Sequence, residues 1–200
     1  MRHSGGVDVT IRGGAAAIYA FDMTDLVLTL IGPDRPGLVQ AVAGIVAEHG
    51  GNWLESRMTH LAGKFAGILR AELPPDRAPA ALAALAALEG QGLKIVAETV
   101  ARTEREAPSR TMDLELLGLD RPGIVREIAQ LLAESAVNVE ELTTNRTSAP
   151  MSGEILFEAR AHVHVPAATD VAKLRAALER VASDLMVEIK LEDRAPGGRG

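Results

Sequence analysis

The sequence contains no cysteine and very few aromatic residues. The absence of cysteine excludes disulfide bonds, thiolate metal sites and cysteine nucleophiles. Aromatic residues make up 2% of the chain, which leaves few rings on which nucleic-acid bases could stack. No hydrophobic run is long enough to span a bilayer. These absences fit a protein of a reducing compartment, and we expect a cytoplasmic location without membrane contact.

The chain also lacks the positive charge that binding to nucleic acid requires. Its formal net charge is −6, so a phosphate backbone would be repelled on average. The composition is 47% hydrophobic and 24% charged, which is typical of a globular protein. With 200 residues, the chain can form one or two domains with cores of their own. Direct contact with nucleic acid is therefore not expected.

A Gly-x-Asp-Arg-Pro-Gly motif occurs twice, at Gly32–Gly37 and at Gly118–Gly123. Gly32–Glu55 aligns without gaps with Gly118–Glu141, and an Asn occupies the same place in both copies, at Asn52 and Asn138. Further along, the second copy has a longer loop around Ser148–Gly153. Similarity at a fixed spacing indicates a duplicated domain. The identical positions in the first copy are Gly32, Asp34, Arg35, Pro36, Gly37, Val39, Ala43, Ala47, Glu48, Asn52 and Glu55.

The hydrophobic periodicity predicts the same order of elements in both copies. A strand is followed by an amphipathic helix, two strands, a second helix and a last strand. In the first copy the first strand is predicted over Leu26–Ile31, and the first helix has its apolar stripe at Leu38, Val42, Ile45 and Val46. The next two strands are predicted from Asn52 and over Phe65–Leu73. The second helix begins with Pro74-Pro75-Asp76, and the last strand is predicted over Leu93–Val100. In the second copy the last strand is predicted over Leu185–Leu191.

The order β-α-β-β-α-β predicts an α+β fold, with two tandem ferredoxin-like domains. Each would be an antiparallel four-stranded sheet with both helices on one face. We expect an N-terminal extension over residues 1–22, a first domain over 23–102, a linker over 103–110, a second domain over 111–193 and a disordered tail over 194–200. The other sheet face has no cover within its own domain. The two domains of one chain could pair into an eight-stranded sheet, and we expect a homodimer formed through the remaining surfaces.

A domain of this topology whose first loop reads Gly-x-Asp-Arg-Pro-Gly resembles an ACT domain. Two of them in tandem are similar to the glycine cleavage system transcriptional repressor family, and the resemblance covers Thr24–Asp193. It implies a small-molecule site, usually for an amino acid, where two such domains are paired. It also implies control of glycine cleavage genes, with glycine as the effector.

The chemistry of the first loop fits a site for an amino acid. Pro36 has a fixed φ and suits a first helical turn, and Asp34 is a candidate cap for the free N–H groups. Gly37 has no side chain, so a ligand carboxylate could approach the positive end of the helix dipole. Asn52 offers both a donor and an acceptor. The expected ligand-binding residues are Asp34, Arg35, Pro36, Gly37, Leu38, Gly51 and Asn52 in the first copy, and Asp120, Arg121, Pro122, Gly123, Ile124 and Asn138 in the second.

Structural explanations of the same residues stand beside this interpretation. Asp-x-Pro-Gly is a good helix start, and Gly-Asn a good helix stop, without any ligand. Arg35 and Arg121 could pair with a ligand, a partner or their own Asp. Gly51 is replaced by Val137 in the second copy, so a pocket with more room is expected at the first loop. His162 and His164 are expected on the polar side of a strand, and the sequence contains no evident Ser-His-Asp arrangement or metal motif.

These observations predict a protein that is not an enzyme, has no cofactor or bound metal, and senses an amino acid or a similar small molecule. All helices belong to the two repeats, so no helix-turn-helix is left to bind DNA. Any effect on transcription should therefore pass through a partner protein. The alternative is a regulatory subunit that acts in trans on an enzyme of amino-acid metabolism.

Overall fold

The computed structural model describes residues 23–100, 108–149 and 153–194. The chain divides into two compact units, Met1–Thr103 and Glu104–Gly200. The expected N-terminal extension, most of the expected linker and all but the first residue of the expected tail lie outside the described residues. Among those that are described, no helix has the length and apolar character to cross a membrane.

The first unit is a four-stranded antiparallel sheet with its helices on one face. Its strands lie in the order β2-β3-β1-β4, and every neighbouring pair is antiparallel. The elements are β1 (Thr24–Pro33), α1 (Leu38–Glu48), β2 (Asn52–Leu61), β3 (Lys64–Leu73), α2 (Ala78–Ala87), a 3-10 turn over Leu88–Gln91 and β4 (Lys94–Thr99).

The second unit repeats this arrangement, with its strands in the order β6-β7-β5-β8. Its elements are β5 (Ser109–Leu119), α3 (Ile124–Glu134), β6 (Asn138–Ser148), β7 (Ile155–Pro166), α4 (Val171–Leu185) and β8 (Val187–Asp193). Each unit therefore has the predicted β-α-β-β-α-β order. The prediction of two ferredoxin-like domains is confirmed.

Alternation along the strands fixes which face of each sheet is covered. On β1, Leu26, Leu28 and Leu30 are buried, and they share one core with Leu38 and Val42 of α1. The residues between them on β1 point to the opposite face, because successive strand side chains alternate. The second unit has a separate core built in the same way. Each sheet therefore has one face packed under helices and one open face.

Several element boundaries differ from the expected ones. Leu185 belongs to α4 rather than to the last strand, because the helix ends at Met186, whose φ of 53° is left-handed. β8 therefore begins at Val187. β5 begins at Ser109, inside the expected linker. The second helix of the first unit begins only at Ala78, after the turn at Pro74.

Candidate functional site

The first loop joins β1 to α1, and Gly37 is the residue at which the helix begins. Gly37 has a φ of 92°, in the left-handed region that favours glycine, and it occupies the N-cap position itself. No side chain caps the helix there. A Cβ at Gly37 would have open space around it. The space beside Gly37 is thus open, at the helix end whose free N–H groups favour a carboxylate.

The expected roles of Asp34 and Pro36 within this loop are wrong. Asp34 does not cap α1; its backbone N–H donates to the Gly63 carbonyl oxygen at 3.0 Å, and its carboxylate lies 3.9 Å from His60. Pro36 precedes the Gly37 N-cap, so it is not in the first helical turn. The left-handed turn at Gly37 moves the start of the helix beyond both residues.

The second loop has the same backbone geometry, but a Cβ at Gly123 would lie 3.8 Å from Glu127 Oε1, whereas a Cβ at Gly37 meets nothing within 4 Å. Gly123 has a φ of 100° at the N-cap of α3, and no side chain caps that helix. The Asp120 N–H donates to the Ile155 carbonyl oxygen at 2.9 Å, and Asp120 Oδ2 lies 2.6 Å from Arg146 Nε. In both units the loop aspartate therefore lies beside a basic side chain of the next strand. Contacts within their own unit hold Asp34 and Asp120 in place, and neither carboxylate lies at the N-terminus of the following helix.

The two loop arginines bind the far end of the second helical segment. Arg35 Nη2 donates to the Gln91 carbonyl oxygen at 3.0 Å, and Arg121 Nη2 donates to that of Asp184 at 3.4 Å. Carbonyls at a helix C-terminus carry partial negative charge, so a cation is favoured there. Arg121 Nε is buried without a hydrogen-bond partner among the described residues. Both arginines therefore contact a backbone carbonyl of their own unit, which is none of the three partners considered from the sequence.

The asparagines lie at the other end of the sheet. Pro33, at the end of β1, pairs with Lys64 of β3, whereas Asn52 pairs with Glu72 of the same strand. At about 3.4 Å per residue, these two positions are roughly 27 Å apart along β3. Asn52 Nδ2 donates instead to Glu72 Oε1 at 3.3 Å. The expectation that the helix start faces Asn52 across a turn of chain is wrong.

Asn138 has the corresponding place in the second unit, as the first residue of β6 opposite His164. One unit by itself therefore does not bring a loop and an asparagine together.

The expected room at Gly51 is also occupied. A Cβ on Gly51 would lie 2.8 Å from the Glu72 carbonyl oxygen and 2.8 Å from Leu73 Cδ2. In the second unit the same position is Val137, which is 5% exposed and part of the core. The difference between the two copies is thus one of packing against the sheet, not of space for a ligand.

Leu38 and Ile124, the first residues of α1 and α3, are buried in the two cores. Their side chains anchor the helix starts, and only their backbone N–H groups remain as candidate ligand contacts.

The open face of the second sheet carries a polar cluster that the sequence did not reveal. His162 and His164 lie on this face, as expected, and their Nδ1 atoms lie 2.6 Å from Asp113 and 2.5 Å from Glu140. Ser109 hydrogen-bonds to the Nε2 atom of His164. A Ser-His-Glu arrangement therefore exists, although none was expected. Its members belong to β5, β6 and β7, so only the strand pairing brings them together.

No metal centre arises from these side chains. Across the described ranges, no group of three or more His, Asp or Glu side chains is arranged to hold a metal ion. A shallow cleft of about 390 Å³ lies elsewhere, between α4 and β8, and is lined by Arg175, Glu179 and Lys190 among others. It does not coincide with either loop. The two uncapped helix starts remain the candidate site.

The fold and the loops together define a class: tandem ferredoxin-like domains, each with an uncapped helix start after a Gly-x-Asp-Arg-Pro-Gly loop. Models of the ACT domain family match residues 24–98 and 107–188. The chain therefore belongs to the ACT domain family, with two copies in tandem. ACT domains are regulatory, and this chain is a regulatory ACT-domain protein.

Known proteins and structures agree with this assignment. A crystal structure of an unknown protein from Galdieria sulphuraria has a TM-score of 0.77 at 28% identity, over 86% of this chain and 99% of that one. A crystal structure of a proposed glycine cleavage system transcriptional repressor has a TM-score of 0.62 at 19% identity, over 85% and 96%. At that identity the similarity concerns the fold alone.

A curated relative is similar over a shorter stretch. A UPF0237 protein of Methanopyrus kandleri is 39% identical over 51 residues, which are 26% of this chain and 57% of that protein. The chain thus spans little more than half the length of this relative.

Proposed function

We propose that this protein is a non-enzymatic sensor of an amino acid, with glycine as the first candidate, and that it binds the ligand carboxylate at one or both loops. The observation that carries the proposal is the pair of helix starts at Gly37 and Gly123. Each lacks a side-chain cap and follows a left-handed glycine. Free N–H groups at the positive end of a helix dipole favour an anion.

The arginine contacts suggest how binding at a loop reaches the rest of a unit. Arg35 joins the first loop to Gln91, beyond the end of α2, and Arg121 joins the second loop to Asp184 in α4. A ligand that favours one loop conformation would thereby favour one position of the second helical segment. A ligand shifts such an equilibrium only by its difference in affinity for the two states.

We further propose that the regulated output is transcription of glycine cleavage genes, through a partner protein that binds DNA. The motif resemblance and the fold shared with a proposed repressor support this output. The net charge of −6 supports an indirect route. Tight, sequence-specific binding of the purified protein to DNA in a gel-shift experiment would contradict the indirect route.

The ligand is tested by thermal unfolding in the presence of each of the twenty amino acids. A ligand at one hundred times its Kd adds about 2.7 kcal/mol to the free energy of unfolding, so we expect at least one amino acid to raise Tm. If none raises it, the sensor proposal fails. If a metabolic enzyme co-purifies with the protein and an added amino acid alters its kinetics, the result would instead support the alternative of a regulatory subunit that acts in trans.

The site is tested with Gly37→Glu and Gly123→Glu, and the matched controls are Gly37→Ala and Gly123→Ala. Both substitutions at a position strain the left-handed backbone, but only Glu adds a carboxylate at the helix start. We expect the Tm shift to disappear with Glu at the occupied loop and to persist with Ala. A shift retained in both Glu variants would place the ligand elsewhere.

A further inference from the structure

The Ser-His-Glu arrangement on the open face of the second sheet has the connectivity of an activated nucleophile. Ser109 Oγ lies within hydrogen-bond distance of His164 Nε2, and His164 Nδ1 lies 2.5 Å from Glu140 Oε1. A carboxylate accepts hydrogen bonds and does not donate them, so Nδ1 carries the proton of the neutral imidazole. The Nε2 lone pair is therefore left to accept the hydroxyl proton of Ser109, as a general base does.

A β-bulge brings the carboxylate to this histidine. The pairing of β6 with β7 shifts register between Val139 and Glu141, so Glu140 is the extra residue of β6. An extra residue of this kind changes the direction of the side chain at the bulge. The Glu140 side chain thereby reaches His164 on the neighbouring strand.

The first unit has the same bulge but none of the three residues. Leu54 is the extra residue of β2. Glu72 takes the place of the histidine, since it pairs with the first residue of β2 as the histidine pairs with the first residue of β6. Met23 aligns with Ser109 at the spacing of the repeat. The duplicated fold therefore does not require a Ser-His-Glu arrangement at this place.

The serine is open to an incoming molecule, whereas the base is more shielded. Ser109 is exposed at the first residue of β5, and the side chain of His164 is only 25% exposed. The Gly123 helix start follows the other end of β5, roughly 34 Å away along that strand. A molecule that reaches Ser109 therefore does not compete with a carboxylate at the second loop.

The charges around Ser109 select the kind of molecule that can approach. Asp113, Glu140 and Glu141 bring three carboxylates to this part of the open face, where they contact the two histidines. Arg194 brings one positive charge, since its N–H donates to the Thr111 carbonyl oxygen at 3.2 Å. The balance is negative, so a neutral or positively charged molecule is favoured over an anion.

We propose that Ser109 is a covalent modification site, at which the hydroxyl takes the acyl group of an activated ester that is neutral or positively charged. Ser109 Oγ bonds to the carbonyl carbon of the ester while His164 Nε2 takes the hydroxyl proton. The bond from that carbon to the leaving oxygen then breaks, and the leaving oxygen takes the proton from His164. The new serine ester has a strongly basic alkoxide as its leaving group, so the acyl group stays on the protein.

The first test treats the full chain with p-nitrophenyl acetate and follows acetylation of the peptide that contains Ser109 by mass spectrometry. General base assistance is worth about 100-fold or more, so His164→Gln should slow acetylation by about 100-fold and Ser109→Ala should abolish it. The matched control is His162→Gln, because His162 has a similar contact with a carboxylate, 2.6 Å from Asp113, and should leave the rate unchanged. An unmodified Ser109 in the wild type overturns the proposal, and so does a rate that His164→Gln leaves unchanged.

The second test addresses the positioning role of Glu140. Glu140→Leu copies Leu54 of the first unit and removes the acceptor for Nδ1 of His164. We expect acetylation about tenfold slower and a smaller fraction of the Nδ1-protonated imidazole in nitrogen NMR spectra of His164. Glu141→Gln, at the next residue, should change neither. An unchanged rate in Glu140→Leu would contradict activation of the serine through this carboxylate.

The third test compares p-nitrophenyl esters that share one leaving group and differ in charge. The acetyl ester is neutral, the glycyl ester carries an ammonium group and the succinyl ester carries a carboxylate. With each rate divided by that of free imidazole with the same ester, we expect the succinyl ester to be several-fold slower than the acetyl ester and the glycyl ester to be at least as fast. The succinyl ester as the fastest of the three would overturn the proposed class of acyl donor.

Discussion

Glycine is the residue on which both loops depend, but for a reason that differs from the expected one. The sequence suggested that Gly37 leaves space beside a helix start made by Pro36 and capped by Asp34. In the structure Gly37 is itself the N-cap, with a φ of 92°, and Gly123 repeats this with 100°. Open space does lie beside Gly37, but glycine is needed at these positions because the loop backbone is left-handed there. A residue with a Cβ adopts this conformation only at a cost.

A matched pair of alanine substitutions tests this requirement. Gly37→Ala should lower the free energy of unfolding of the first unit by about 1 kcal/mol, because the left-handed backbone disfavours a Cβ. Gly44→Ala lies within α1, where the Cβ also meets open space, and should raise that free energy by about 1 kcal/mol. Urea unfolding followed by fluorescence of Trp53, which packs against the core of this unit, measures both. Equal effects of the two substitutions would contradict the role of the backbone at Gly37.

At the scale of single elements, one of the four α-helices in the described part of the chain, α4, begins with an aspartate cap. Asp170 accepts hydrogen bonds from the N–H groups of Ala172 and Lys173, at 3.1 and 3.2 Å from its Oδ1 atom. Asp34 and Asp120, which precede Pro-Gly, make no such bonds to α1 and α3. An aspartate near a helix start is thus ambiguous in a sequence, because the turn after it decides whether its carboxylate reaches the free N–H groups.

Substitutions at these aspartates separate the two cases. Asp170→Ala should destabilise the start of α4 by about 1 kcal/mol and speed hydrogen exchange of the Ala172 and Lys173 amides about fivefold. Asp34→Ala should leave exchange at the start of α1 unchanged, since its carboxylate caps nothing there. Asp170→Asn, which keeps an acceptor, is the conservative control. Faster exchange at α1 in Asp34→Ala would mean that this aspartate caps the helix after all.

At the scale of the whole molecule, each unit has a hydrophobic core that shares no residue with the other. Leu28 is 0% exposed in the first core, and Leu114, at the equivalent strand position, is 2% exposed in the second. The duplication therefore preserved the buried face of the sheet while the open face diverged. Close packing restricts the residue types at the buried positions in both copies, whereas the residues on the open face contact only solvent or a partner.

Truncation of these two leucines provides a test of separate cores. Leu28→Ala and Leu114→Ala should each cost about 3 kcal/mol, from lost apolar contact and the cavity left behind. Hydrogen exchange resolved by peptide should show lost protection in residues 23–100 for Leu28→Ala and in residues 108–194 for Leu114→Ala. A similar loss of protection in both units from either substitution would contradict separate cores.

The sequence predicted the fold more fully than it predicted the site. The stripe of Leu38, Val42 and Val46 and the alternation of Leu26, Leu28 and Leu30 correspond directly to buried faces, because local periodicity determines burial. Asn52 was expected beside the first loop, because the loop motif and the asparagine recur together in the two copies at the same spacing. A helix of the length of α1, which carries the chain about 16 Å, lies between them and separates them. Recurrence along a chain carries no information on distance in space.

The sequence by itself determined the duplication, the order of elements, the buried faces and the two glycine loops, since each depends on local periodicity or on residue type. Only the tertiary structure decided where side chains from different strands meet. Strand pairing places Ser109 next to His164 and puts Ile31, Ile68 and Val96 on one exposed face. It also places Asn52 at the far end of the sheet from the loop. The packing of the loop against the 3-10 turn brings Arg35 to Gln91. Contacts between residues distant in sequence depend on register, which no single segment encodes by itself.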